Sequence, residues 1–178
     1  MQEACMACHA DDLHHATNAI LWLMTSYGER SSVPRSRHTK NRLDSSKGKR
    51  PDGATLIPWS RGQALARDVT IPDTYAASHL QSNAFEAGRE AIHAAEIKCT
   101  KYRELDATHI FVAIAIETAG TWDKQATELI EEIGRRCTLE TEDPKETIYL
   151  YQRISITIQR GNALSFTHMF DIYADINT

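Results

Sequence analysis

The chain has 178 residues, 42% of them hydrophobic and 25% charged, the make-up of an ordinary globular protein with one buried core. It holds no run of roughly 18 apolar residues of the kind a membrane span needs, and its start, MQEACMACHADD, lacks the basic-then-apolar order of a secretion signal, so an intracellular, membrane-free location is expected. The four cysteines read as reduced thiols, and the net charge of −4 hides a lopsided distribution: Arg30 to Arg67 contains ten Lys and Arg against Asp44 and Asp52, a local +8 that leaves −12 for the rest.

In chain order, residues 1–12 read as a flexible N-terminus and residues 13–178 as a single domain. CMACH, from Cys5 to His9, has the spacing of a haem attachment site, but the chain shows neither an export signal nor a clear distal axial ligand. Zn²⁺ held by Cys5, Cys8 and His9 with His14 or His15 is the other ligand-binding reading; adjacent Cys8 and His9 are sterically awkward around one tetrahedral ion, which favours the flexible terminus.

Leu13, Ala16, Ile20 and Met24 recur at helical spacing and predict a helix over 11–27, with Asp11 or Asp12 as N-cap. Residues 28–49, rich in Ser, Arg and Lys, predict a basic loop. It is either a solvated linker or a grip on phosphates, with Lys47, Lys49 and Arg50 as the nucleic-acid contacts. GATLIPW over 53–59 and QALARDVTI over 63–71 predict two strands joined by the SRG turn. Residues 82–105 predict the longest helix, packed through Ala87, Ala91, Ala94, Ala95 and Ile97.

HIFVAIAIE over 109–117 predicts a central strand buried on both faces. His109 at its start reads as an ordinary strand-end residue without a role. Trp122, Ala126, Leu129, Ile130 and Ile133 predict an amphipathic helix to about Arg136. The last segment is ambiguous, since Ile154, Ile156 and Ile158 alternate like a strand while Ile148, Tyr151, Ile154 and Ile158 follow a helical stripe; Pro144 followed by an acid favours helix. The expected fold class is α/β or α+β, a small mixed sheet flanked by helices.

The chemistry-bearing pattern is KRPDG, from Lys49 to Gly53, followed sixteen residues after Asp52 by Asp68 in ARDVT. On the two arms of one hairpin, these carboxylates converge on a single divalent cation, and Mg²⁺ or Mn²⁺ prefers such oxygen ligands. A carboxylate-bound metal clamps a phosphodiester and ionises a water. Lys98 and Tyr102 stand four apart in EIKCTKYREL and share a helix face, where a lysine neutralises phosphate charge and a tyrosine orients it; Lys101 lies close enough to substitute in part. The bland alternative is a turn aspartate after proline and solvated helix lysines. Trp59 and Trp122 read as core or rim aromatics, with an exposed Trp59 able to stack on a displaced base.

The stretch KRPDGATLIPWSRGQALARDVTIPDTYAASHL, the lysine-bearing helix, THIFVAIAIETAGTW and YLYQRISITIQRGNA together resemble the C-terminal restriction-like endonuclease region of non-LTR retrotransposon reverse transcriptases, over about residues 13–170. That family belongs to the PD-(D/E)xK nuclease superfamily. The resemblance implies a restriction-endonuclease-like fold and a Mg²⁺-dependent hydrolase that nicks DNA for reverse transcription. It implies DNA as partner, the reverse-transcriptase portion of a parental protein as neighbour, and a nuclear location for an active protein. It makes Asp52 the aspartate of the PD motif and Asp68 the second acid, with the Val69 carbonyl as a further metal ligand.

The superfamily's lysine two residues after that acid is replaced here by Thr70, and Lys98 with Tyr102 matches the KxxxY arrangement on the following helix. Arg67 stands where a large aromatic residue is expected, and no reverse-transcriptase domain accompanies the region. Two readings follow. One is a DNA endonuclease; the other is a catalytically inactive, nucleic-acid-binding or structural remnant of the same domain.

Overall fold

The computed structural model describes Thr17, Ile20 and residues 50–55, 58–76 and 86–176. The N-terminal helix, the basic loop 28–49, CMACH, Lys47, Lys49 and the start of the long helix at 82 lie mostly or wholly outside these residues. The described part is a small mixed sheet with helices on both faces, in the order β1 (Gly53–Ala54), β2 (Ala64–Thr70), α1 (Arg89–Lys101), β3 (His109–Ala115), α2 (Lys124–Thr141) and α3 (Glu146–Ile176). A short 3-10 stretch, Arg103–Ala107, links α1 to β3.

The hairpin closes through a two-residue turn in which glycine, but not arginine, favours the left-handed conformation required. Arg61 and Gly62 adopt φ of 51° and 77°, the left-handed pair of a type I′ turn, and Ser60 bridges Gln63. The first arm is much shorter than the seven residues expected. Thr55 pairs with Leu65 and Ser60 with Gln63, so five steps on one arm face two on the other. Pro58, which has no N–H to donate, lies in that excess, and a ladder cannot run through it.

β2 is the middle strand among the described residues, antiparallel to β1 and parallel to β3. The central position expected for 109–117 therefore belongs to β2. β3 is also shorter than expected, and its first four residues are only half-buried. The parallel pairing requires a crossover, and α1 provides it.

The two faces of the sheet differ because side chains alternate along each strand. Leu65, Val69, Ile114 and Ile116 form one core with Ala126, Leu129, Ile130, Ile133 and Cys137 of α2 and Leu150, Ile154 and Ile158 of α3; Ile20 joins it. The opposite face presents Ala113 and Ala115, which pack on Ala91 and Ala95 of α1. The ambiguous last segment is helix because burial follows Leu150, Ile154 and Ile158, four apart, while Ile156 and Ile148 are exposed. At 31 residues α3, not the helix preceding β3, is the longest described, and α2 runs five residues beyond Arg136. Asp123 caps α2 by accepting from the Gln125 N–H at 2.9 Å. None of the described helices is long and apolar enough to cross a membrane.

Candidate functional site

The β1–β2 register pairs Gly53 with Arg67 and Ala54 with Ala66. Carried one residue further, it sets Asp52 against Asp68 at a non-hydrogen-bonded position, where opposed side chains share a face and lie closest. Proline explains why the ladder stops there. Position 51 falls opposite Val69 at the next hydrogen-bonding position, and Pro51 has no N–H to give to the Val69 carbonyl. The Val69 N–H instead donates to Asp52 Oδ2 at 2.9 Å. A strand residue's N–H and C=O point to the same edge, so the Val69 carbonyl lies on the Asp52 side.

Asp68 is 2% exposed, on the alanine face of the sheet beside its β3 partner Ala113. Its Oδ2 lies 2.5 Å from Lys98 Nζ, and its Oδ1 accepts from the Tyr102 hydroxyl at 3.0 Å. The hydroxyl also lies 2.7 Å from the Arg50 carbonyl, tying the chain just ahead of β1 to α1. Ala91, Ala95, Lys98 and Tyr102 fall at steps of four, three and four, one stripe on the sheet-facing side of α1. The Tyr102 ring packs on Phe111 of β3 with centroids 4.8 Å apart. Asp52, Asp68, Lys98 and Tyr102 are thus brought together from a loop, a strand and a helix.

The electrostatics follow from partial burial. Asp52 is exposed as a residue, but its carboxyl lies against β2, and that desolvation raises its pKa above the usual value. The Val69 N–H pulls it down, the Asp68 charge pushes it up, and Lys98 and Lys101 pull it down. Burial chiefly, then the Asp68 charge and the hydrogen bond to Asp68, raise the Tyr102 phenol well above its ordinary value, so it stays a donor. Arg67, 5% exposed across from Gly53, is lowered by burial to about 10, against the pull of Asp52. Arg67 remains a cation at neutral pH. A Cβ at Gly53 would stand 3.3 Å from Arg67 Nε, so glycine there leaves room for the guanidinium.

Comparison of the chain with protein-family models, with curated proteins and with solved structures finds no match in any of the three.

Lys101 is exposed, with its ammonium 4.7 Å from the Tyr102 ring centroid, and Arg50 is exposed as well. Ile97, expected on the packed side of the helix, is instead 54% exposed, and Ala87 is exposed too. Trp59 is not available for a base. Arg136 covers its ring at 3.6 Å, while the indole packs on the larger core. Trp122 meets Tyr151 edge-on at 5.0 Å, as a core-rim residue. The His109 ring contacts only the neighbouring Thr108 hydroxyl among its polar contacts in the described residues.

No group of three or more His, Cys, Asp and Glu capable of holding a metal occurs among the described residues. Mg²⁺ does not require one, because it binds through one or two carboxylates and keeps several waters. Asp52, Asp68 and the Val69 carbonyl form a hard-oxygen donor set of that kind.

Sequence reasoning missed Glu117. It is 1% exposed at the end of β3, where its Oε1 accepts from the Glu90 and Ala91 N–H groups at 3.1 and 3.3 Å and its Oε2 from the Thr74 hydroxyl at 3.3 Å. The visible signal was a lone acid closing an otherwise apolar run, HIFVAIAIE.

Proposed function

We propose that this chain carries a restriction-endonuclease-like, metal-dependent centre that nicks DNA, akin to the endonuclease region of non-LTR retrotransposon reverse transcriptases and acting in the nucleus. The observation that supports it most is the meeting of two opposed carboxylates, Asp52 and Asp68, with a lysine and a tyrosine delivered by one helix face. Asp52, Asp68 and the Val69 carbonyl would hold Mg²⁺ or Mn²⁺. When bound, such an ion supplies a Lewis-acid clamp on a phosphate and a water ionised near neutral pH. Lys98 places a positive charge beside Asp68, where charge on a scissile phosphate is neutralised. Tyr102 holds Asp68 and the Arg50 carbonyl together, fixing the backbone just ahead of β1.

The test is nicking of supercoiled DNA with Mg²⁺ or Mn²⁺. Asp52→Ala and Asp68→Ala should abolish it, and Lys98→Ala should lower the rate on the order of 100- to 1000-fold, the loss typical of one charge-stabilising contact. Lys101→Ala should matter less. An intact chain inactive on duplex, nicked and branched DNA, or activity surviving Asp52→Ala, overturns the reading. DNA affinity should fall steeply with salt, and replacing Lys47, Lys49 and Arg50 by glutamate should weaken it; unchanged affinity would make 28–49 a linker.

A second reading, a non-catalytic remnant, is favoured by one observation. Both Asp68 oxygens already have partners within the chain, Tyr102 and Lys98, as a purely structural ion pair would. In that case Asp68 variants lose stability while the intact chain shows no metal-dependent nicking.

A further inference from the structure

We infer that Glu117 is a positioning residue: from the end of β3 it holds the N-terminus of α1 and thereby sets where Lys98 and Tyr102 meet Asp68. Its value to the reaction rests on the nuclease reading above, whereas its hold on α1 does not.

The need for such an anchor comes from the packing beneath the helix. α1 rests on the sheet through alanines, Ala91 and Ala95 against Ala113 and Ala115. Small side chains let the helix approach closely, but they interlock little and resist sliding along the helix axis weakly. Lys98 and Tyr102 lie beyond that contact, roughly 12 Å and roughly 18 Å along the axis from Glu90 at about 1.5 Å per residue. A slip or rotation of the helix carries both away from Asp68.

Glu117 opposes that slip. The residue before α1, Gly88, has no side chain to cap the helix, and the first-turn N–H groups of Glu90 and Ala91 are taken by Glu117 Oε1. A carboxylate suits the positive end of a helix. Two N–H groups converging on one oxygen fix both the axial position and the rotation of α1. Glu117 is itself held at Oε2 by the Thr74 hydroxyl.

The turn that carries it is braced as well. Glu117 N–H donates to the Thr121 carbonyl at 2.8 Å, and the Asn162 amide of α3 donates to the Thr118 carbonyl at 2.8 Å. Gly88 abuts the same turn: with φ of +87° it adopts a conformation that L side chains rarely take, and a Cβ there would come within 2.8 Å of Thr121 Cγ2. The start of α1 is therefore clamped to the 117–121 turn at two points.

The experiment is NMR on the full chain carrying Glu117→Ala, with nicking measured in parallel. Three contacts are followed: amide-exchange protection at Ala91, the Tyr102–Phe111 ring contact, and the Trp122–Tyr151 contact as a control in the larger core. The expected result is loss of Ala91 protection together with a weakened Tyr102–Phe111 contact, while Trp122–Tyr151 persists. Fraying confined to the first turn, with Tyr102–Phe111 unchanged, overturns the inference, because Glu117 would then be a cap and nothing more.

Glu117→Gln retains an oxygen acceptor and should restore the ring contact; failure to restore it also counts against the inference. Should Glu117→Ala lose the Trp122–Tyr151 contact as well, Glu117→Asp, which keeps the charge and shortens the reach, replaces it with the same two outcomes. In nicking, Glu117→Ala should lower kcat on the order of 10- to 100-fold with little change in KM, as misplacement of reacting groups does. A wild-type chain that never nicks defeats the nuclease reading alone, and the NMR contacts still decide the role of Glu117.

Discussion

The two faces of the sheet are built on opposite principles. One carries large branched side chains, Leu65, Val69, Ile114 and Ile116, that interdigitate with α2 and α3; the other carries alanines and Asp68 under a single thirteen-residue helix. Burial stabilises in proportion to the apolar area removed from water, so the first face holds most of the fold's stability. The second face is thin, and its thinness lets a helix bring a lysine and a tyrosine within hydrogen-bonding reach of a buried carboxylate. The chain separates what keeps it folded from what would do chemistry, on the two sides of the same strand.

The contrast breaks most readily on the thick face. Ile130, fully buried among α2, α3 and the sheet, should lose about 2–5 kcal/mol on Ile130→Ala, read from chemical denaturation, since the transfer loss and the cavity add. The Asp68–Lys98–Tyr102 cluster should keep its geometry in the folded fraction. A loss below about 1 kcal/mol would mean that the large core is looser than its burial implies.

A smaller effect, with the opposite pattern, is expected on the thin face. Ala113 is fully buried beside Asp68, and Ala113→Leu inserts a branched side chain where α1 must come close. Overpacking should destabilise by about 1–3 kcal/mol and abolish the Tyr102–Phe111 ring contact by pushing α1 away. If α1 accommodates leucine with that contact intact, closeness of approach is not what alanine provides here.

The smallest effects are in pH dependence, and they differ in sign between the two sides. Asp52 has its pKa raised in the folded chain, so its contribution is fully present below its ordinary value near 3.8 and is lost as pH rises through the folded value. Asp52→Asn, which keeps an acceptor for the Val69 N–H, should therefore raise Tm at pH 7 and leave it nearly unchanged below pH 3.8. Glu132 on α2 behaves inversely. Its hydrogen bond from Arg135 first, with Arg136 adding and partial burial opposing, lowers it to about 2, so its contribution is present above the ordinary 4.5 and is lost as pH falls from there toward 2. Glu132→Gln should lower Tm slightly at pH 7, by an amount that added salt reduces, because the Arg135 side chain is well exposed. Equal signs for the two variants at pH 7 would remove the electrostatic contrast.

Local rules in the sequence determined the elements and their order. The SRG turn between two β-favouring runs predicted the hairpin, Gly62 being at home in the left-handed conformation the turn needs, and the interval from Asp52 to Asp68 suits the two arms of that hairpin. Four-residue spacing put Lys98 and Tyr102 on one helix face, and Pro144 with an acid marked the start of α3. Only the tertiary structure decided what no local rule carries: that β3 runs parallel to β2 and lies beside it, leaving β2 in the middle. The sequence already put Ala91 and Ala95 on the packed side of α1, but only the tertiary structure turned Ile97 outward, since an alanine-rich helix has too weak an apolar stripe to set the edges of its buried side. Glu117 was hidden for a different reason. Its partners, Thr74, Glu90 and Ala91, stand 26 to 43 residues away, and a buried carboxylate is intelligible only when the N–H groups that satisfy it are in view.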